Sequence, residues 1–387
     1  MQLPTTRPSG CPFDPPVELA RIREQAPLTR LTYPDGHEGW LVTGYALARA
    51  VAADTRFTSR YELLHYPFPG GPAELPPATP GDMTGMDQPE HTRFRKLLTG
   101  KFTVRRMRQL TERVEQVTAE HLDAMQQGST ADLVTAFAHP VPAVTICELL
   151  GVPYADRATF LRDAKALSGL DVTMDEQFAA YGALQEYVHE LVLAKRADPT
   201  DDLLSDLTTS DLTGSELAGV GTFLLAAGLD TTANMLALGT FALLSNPTQI
   251  PALQANPAQS VEELLRYLSI THTGVRGALV DVELDGQLIK AGESVTVSIQ
   301  AANRDPLRFP DPDVLDLSRQ ATGHLTFGHG IHQCLGQQLA RVEMQVAFPA
   351  LFTRFPTLRL AVAPDEILMR DTNIYGVQSL PVTWDAR

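Results

Sequence analysis

Residues 327–336 read FGHGIHQCLG, which places one of three cysteines in a frame of three glycines and two histidines. A thiol does chemistry when something lowers its pKa or coordinates it, and a helix N-terminus is one such setting. After Cys334, the apolar residues Leu335, Leu339, Val342, Val346, Ala350 and Leu351 recur at helical spacing. The cysteine therefore sits at a helix start, behind a turn that carries Gly328 and Gly330. Zinc held by His324, His329, His332 and Cys334 is one chemistry this composition allows.

A second polar group interrupts LAGVGTFLLAAGLDTTANMLALGTFALL, where Asp230, Thr231, Thr232 and Asn234 fall in the middle of an apolar run. Four polar residues at the midpoint are costly in lipid, which argues against a membrane span. A buried core helix leaves Gly228-Leu-Asp-Thr-Thr unexplained. Glycine weakens a helix and threonine competes for its carbonyls, so the helix is expected to open here to a small ligand or water. A carboxyl beside a hydroxyl can also relay protons. Two further pairs share helix faces. His91 and Arg95 lie one turn apart after Pro89, and Glu263 and Arg266 stand at i,i+3, a spacing common in surface ion pairs.

These groups need elements to position them. The long helix has a capping box at Thr213 and Glu216 and a stop at Asn246-Pro247. Helices are expected from about Glu90 to Gln249. Strands are expected before and after, in a hairpin over 28–45 turning at Pro34-Asp35-Gly36 and in a patch over 277–300 turning at Asp285-Gly286. The stretch from Tyr66 to Gly85 is rich in Pro and Gly and reads as a long loop of the kind that forms lids. The 387 residues show no repeat and no convincing linker, so a single domain over 1–387 is the simplest organisation. With 44% hydrophobic and 20% charged residues the chain forms a core, and its net charge of −15 argues against nucleic acid and anionic membranes as partners. Three scattered cysteines and a start without an apolar stretch point to a soluble protein in a reducing cytoplasm.

Together the pieces resemble the cytochrome P450 haem-thiolate monooxygenases, in the bacterial form found in actinobacterial secondary metabolism. FGHGIHQCLG is similar to that family's cysteine-ligand loop. AAGLDTT (226–232) is similar to its oxygen-binding motif, Glu263-x-x-Arg266 to its buried pair, and residues 302–319 to the meander before the loop. The resemblance implies a mainly α fold with small β-sheets (α+β), with haem b between the long central helix and the helix after the cysteine. It also implies that Cys334 ligates the iron, while His91, Arg95, Arg276 and His332 hold the haem propionates. Glu263, Arg266 and Arg319 become a folding network beneath the haem. Thr231 becomes the hydrogen-bond partner of dioxygen, and Asp230 the source of protons.

No GxGxxG loop and no ferredoxin-like cysteine run is present, so electrons are expected from a separate ferredoxin and its NAD(P)H-dependent reductase. The basic residues Arg105, Arg106 and Arg341 are candidate contacts for that acidic partner. The substrates are O2 and a hydrophobic small molecule, with a macrolide-like polyketide the expected class and a monomer the expected state. Its pocket is expected to be lined by the loop around 61–86, the helices around 168–195, Leu225, Ala226, Ile270 to Val275 and Asn373 to Val377. A haem sensor or a peroxygenase on the same fold are the alternatives, and the Asp230-Thr231 pair favours the monooxygenase.

Overall fold

The computed structural model describes residues 1–8, 10–71, 74–166, 173–370 and 374–385. Its strands include β1 (Leu28–Thr32), β2 (Glu38–Val42), β3 (Phe57–Thr58), β4 (Thr273–Ala278), β5 (Val282–Leu284), β6 (Gln287–Ile289), β7 (Ser294–Ser298), β8 (Met369–Arg370) and β9 (Gly376–Val377). One five-stranded sheet runs in the order β1-β2-β7-β4-β3, and only the β2–β7 pairing is parallel. The first expected hairpin is β1–β2, with Thr32 opposite Glu38 and Gly36 at φ +88° in its turn. The second is β5–β6, where Asp285 and Gly286 both take positive φ (50° and 71°), as a two-residue type I′ turn requires.

Helices make the body. They are α1 (Glu90–Thr99), α2 (Val104–Met125), α3 (Pro140–Leu150), α4 (Met174–Ala197), α5 (Gly214–Ser245), α6 (Pro257–Leu268) and α7 (Gln337–Arg354). The long helix α5 starts where its capping box predicts. Thr213 Oγ accepts from the Glu216 amide at 3.2 Å, and the Glu216 carboxylate accepts from the Thr213 amide at 2.7 Å. It runs unbroken for 32 residues to Asn246. The opening expected at Gly228–Thr232 does not occur, because the Thr231 hydroxyl donates to the Ala227 carbonyl at 2.9 Å and shares that acceptor with the helix. Among the described residues, no helix is long and apolar enough to cross a membrane.

Two apolar clusters meet along α5. One contains Met235, Leu265 and Met344, the other Ile146, Leu224 and Leu339, and all six also line one cavity between the clusters. The Pro- and Gly-rich segment reaches the cavity wall through Met83 and Thr84 near its C-terminal end. Met83 and Gly85 are buried in a 3₁₀ turn, and Asp82 accepts from the Thr84 amide and the Tyr61 hydroxyl. A Cβ on Gly219 of α5 would stand 1.6 Å from the Pro80 carbonyl oxygen, so only glycine admits this contact. The lid expected over Tyr66–Gly85 thus ends in an anchored tail from about Pro80 onward, and residues 72–73 of it lie outside the described residues.

Candidate active site

Cys334 enters the cavity at the end of a loop that its glycines shape. Gly328 and Gly330 take φ of +70° and +75°, and a Cβ on Gly330 would meet the Ala52 carbonyl oxygen at 2.3 Å. The Cys334 amide donates to Phe327 O at 2.8 Å and closes the loop. The thiol is exposed, but into the cavity it lines. Burial pushes its pKa up, while the backbone amides of Gly336 and Gln337, at the start of α7, and the cations of Arg95 and Arg341 pull it down. The N-terminus of α7 is therefore aimed at the sulfur, the setting in which a coordinated thiolate is stabilised. Phe327 lies beside it with the Arg341 guanidinium 4.5 Å from its ring centroid.

Five cationic or potentially cationic side chains line the same cavity, His329 and the four expected to hold the propionates, His91, Arg95, Arg276 and His332. The rings of His91 and His332 are 4.3 Å apart. Burial, with Arg276, His91 and Arg95 nearby, drags His332 down to about 3. Burial and Arg95 lower His91, against a smaller opposing effect from Asp87. Arg276 is lowered by burial, and its only hydrogen bond among the described residues is from Nη1 to the adjacent Val275 carbonyl at 2.7 Å. His91 Nδ1 is buried without a partner. Arg95 donates to Gln333 O at 2.6 Å, which ties α1 to the cysteine loop. Donors that repel one another and lack a carboxylate are arranged for an anion that enters with a ligand.

Across α5, Thr231 lines the cavity together with Phe223, Leu224, Ala227 and Gly228. Asp230, its neighbour, does not. Its carboxylate accepts from Arg370 of β8, at 2.8 Å for Oδ1 and 3.4 Å for Oδ2. Leu225 is likewise turned into the core rather than the pocket, since helical geometry sends consecutive residues to different faces. Ile270, Thr271, Thr273 and Gly274 line it as expected, as do Met83 and Thr84 of the loop. The expected lining over 168–172 and at Asn373 lies outside the described residues, and the rest of 168–195 and of 373–377 does not line the cavity. Sequence reasoning missed Arg370 and Glu343. The second was detectable, because Glu343 stands four residues after Leu339 on the apolar stripe of α7.

Beneath the cysteine loop, Glu263 and Arg266 are fully buried, not a surface pair. Glu263 accepts from Arg266 Nε at 2.7 Å and Nη2 at 2.8 Å, from Arg319 Nε at 3.1 Å and from the Asp316 amide at 3.1 Å. Arg266 Nη1 donates to the carbonyls of Asn303 and Pro312. This network fastens α6 to the meander. The expected partner contacts fare less well. Arg106 is buried against Asp206 at 2.9 Å, and Arg341 is held by Glu262, which leaves only Arg105 largely exposed, and that one paired with Asp201. No zinc site forms, since no cluster of three or more His, Cys, Asp or Glu that could hold a metal exists among the described residues, and His324 is bonded to Glu262.

A family profile described as Cytochrome P450 matches residues 257–374. The chain is 50% identical over 380 residues to cytochrome P450 105C1 of a Streptomyces species, covering 96% of each chain. It is 43% identical over 388 residues to pentalenic acid synthase of Streptomyces avermitilis, covering 97% of this chain and 95% of that one. The solved structure of CYP105P1 in complex with filipin I superposes with a TM-score of 0.92 at 42% identity, covering 100% of this chain and 99% of that one. The chain belongs to the cytochrome P450 family. It is a monooxygenase, and the family's fold is the one described above.

The family implies haem, and the cavity residues of this P450 fit that group on their own chemistry. The Cys334 thiol, beside two helix-start amides, would hold the iron. The Nδ1 of His91, without a partner among the described residues, and the Arg276 guanidinium, bonded there only to the Val275 carbonyl, would be donors for its two carboxylates.

Proposed function

We propose that this P450 oxidises a hydrophobic small molecule of the polyketide or macrolide class, by hydroxylation or epoxidation, as a tailoring step in secondary metabolism. Haem b, when bound, supplies the activation of O2 and the insertion of one oxygen atom. Cys334 would hold the iron, and the amides of Gly336 and Gln337 favour its thiolate against the burial that raises the pKa of the thiol. His91, Arg95, Arg276 and His332 orient the macrocycle through its propionates. Thr231 presents its hydroxyl to the reacting oxygen, and Asp230 passes protons toward it. The apolar walls, including Phe223, Leu224 and Ile270, exclude water and receive the substrate.

The observation that carries this reading is that Cys334, Thr231, His91, Arg95, Arg276 and His332 all line one cavity. The substrate class is supported by the solved structure of a relative in complex with filipin I. Electrons come from a ferredoxin and its NAD(P)H-dependent reductase, and the protein works as a monomeric single domain in the cytoplasm. The reduced protein with carbon monoxide should absorb near the wavelength typical of thiolate ligation. Cys334→Ser should lose that band, because a serine hydroxyl is not ionised at neutral pH, and its survival would remove Cys334 as ligand.

A further inference from the structure

Three side chains outside the cavity lining meet around Phe327 of the cysteine loop: Glu262 of α6, Arg341 of α7, and His324 just ahead of the loop. The Arg341 guanidinium has every nitrogen engaged. Its Nε and Nη2 donate to the two oxygens of Glu262 at 2.5 and 3.1 Å. Its Nη1 donates to the Gln337 carbonyl at 3.2 Å and to the Gln337 side-chain oxygen at 3.0 Å. So held, the guanidinium stands 4.5 Å from the Phe327 ring centroid. The His324 ring reaches the same phenyl, with 5.8 Å between centroids. His324 Nδ1 accepts from the Thr326 amide at 3.2 Å, so the ring proton is on Nε2, which donates to Glu262 at 3.2 Å. His324 is therefore neutral, and Glu262 and Arg341 form a charge-balanced pair.

This arrangement reaches the cysteine by two routes. The Phe327 carbonyl accepts from the Cys334 amide at 2.8 Å, and Gln337, which Arg341 grips, presents its own amide to the sulfur. The Arg341 charge also acts on the sulfur directly and, after Arg95, favours the thiolate.

We propose that Glu262 is a positioning residue, which fixes Arg341 against Phe327 and balances its charge, and that the pair thereby sets the reduction potential of the iron held by Cys334. This rests on the reading that Cys334 is the haem ligand. No bond of Glu262 or Arg341 changes when the partner's electron arrives; only the field that the electron meets is set.

Two facts favour this role over a merely structural ion pair. A buried pair adds little stability that apolar side chains of similar volume would not supply. The pair also stays ionised: burial opposes the Glu262 charge, yet the bonds from His324 and Arg341 overcome it and take the carboxyl down to about 2. With side chains only 13% and 19% exposed, these charges are screened less than surface ones, so their balance is felt at the sulfur.

Spectroelectrochemical titration of the haem-loaded protein reads the effect without turnover. Glu262→Gln keeps an acceptor for Arg341 and His324 but leaves the cation unbalanced. An unbalanced cation favours the added electron, so the ferrous-to-ferric ratio at the wild-type midpoint should rise severalfold. Arg341→Met keeps an apolar cover on Phe327 and leaves the Glu262 carboxylate unbalanced, so that ratio should fall severalfold. The double variant restores neutrality and should titrate near wild type, which covers the case in which a single variant folds poorly. A loop that was merely loosened would instead shift both single variants the same way and the double variant further. Either of those patterns, or an unmoved potential in Glu262→Gln, overturns the proposal. The carbon monoxide band keeps the two readings apart. A wild-type protein without the thiolate band would overturn Cys334 as ligand, whereas the band with unmoved potentials would overturn only the role of the pair.

Discussion

Arg276→Leu separates a group that binds haem from one that builds the fold. Arg276 has one intramolecular hydrogen bond, to its own neighbour Val275, and burial disfavours its charge. Losing that single bond in the apoprotein costs about 1 kcal/mol at most, and removing a buried, repelled cation offsets part of it. In the loaded protein the same substitution deletes a hydrogen bond to a carboxylate, worth roughly 1.5–3 kcal/mol. At about 1.4 kcal/mol per decade, haem affinity should fall roughly 10- to 150-fold. Haem transfer to an excess of a scavenging apoprotein measures the first quantity, and urea unfolding of the apoprotein measures the second. Because His332 and Arg276 interact, the double variant with His332→Phe should lose less than the sum of the two single losses. Haem release at the wild-type rate would refute the assignment, and so would an apoprotein destabilised as much as the loaded one.

Three further outcomes follow from the geometry. Glu263→Gln leaves Arg266 and Arg319 buried without a counter-charge and should cost about 3–5 kcal/mol in urea unfolding; a loss below about 1 kcal/mol would contradict the network. Thr231→Ala exchanges an intrahelical hydroxyl bond for a better helix former, so stability should hold within a few tenths of a kcal/mol while product per NAD(P)H drops; unchanged coupling would remove the hydroxyl from the reaction. His272, beside Arg7 Nη2 at 2.6 Å, is pulled by burial from 6.5 to about 3, so below pH 6.5 the unfolded chain binds a proton that the fold refuses. Its contribution is present above 6.5 and lost as pH falls toward 3, and His272→Gln should flatten apoprotein stability over that window.

What the sequence made legible was local. The ligand loop fits within ten residues, and its glycines, cysteine and following helix stand in fixed register, so spacing alone positions the thiol at a helix start. The capping box of α5 and the turns of both hairpins were readable for the same reason, since each depends on residues a few positions apart. Pairings across the chain were not. Whether Glu263-x-x-Arg266 is a surface pair or a buried one depends on Arg319 and the carbonyls of Asn303 and Pro312, 37 to 56 positions away. The side of α5 that faces the pocket depends on which helices pack against it, and for Leu225 the spacing of apolar residues could not say. For the arginines expected at a partner surface the sequence could not show that Arg106 and Arg341 pair with Asp206 and Glu262 while Arg105 stays exposed.

Asp230 and Glu343 show how far one rule carries. Each is a carboxyl set in an apolar helical stretch, and that placement marks a group which water does not freely reach. The rule finds the residue without saying where its side chain goes. Arg370, 140 positions along the chain, draws the Asp230 carboxylate away from the cavity toward β8. Glu343 meets no cation and remains in the cavity wall between two threonines. Proton traffic through Asp230 therefore requires its contact with Arg370 to loosen first, and anything that moves β8 acts on that step. Arg370→Met removes that contact and should alter product per NAD(P)H, and unchanged coupling would take Asp230 out of the proton path.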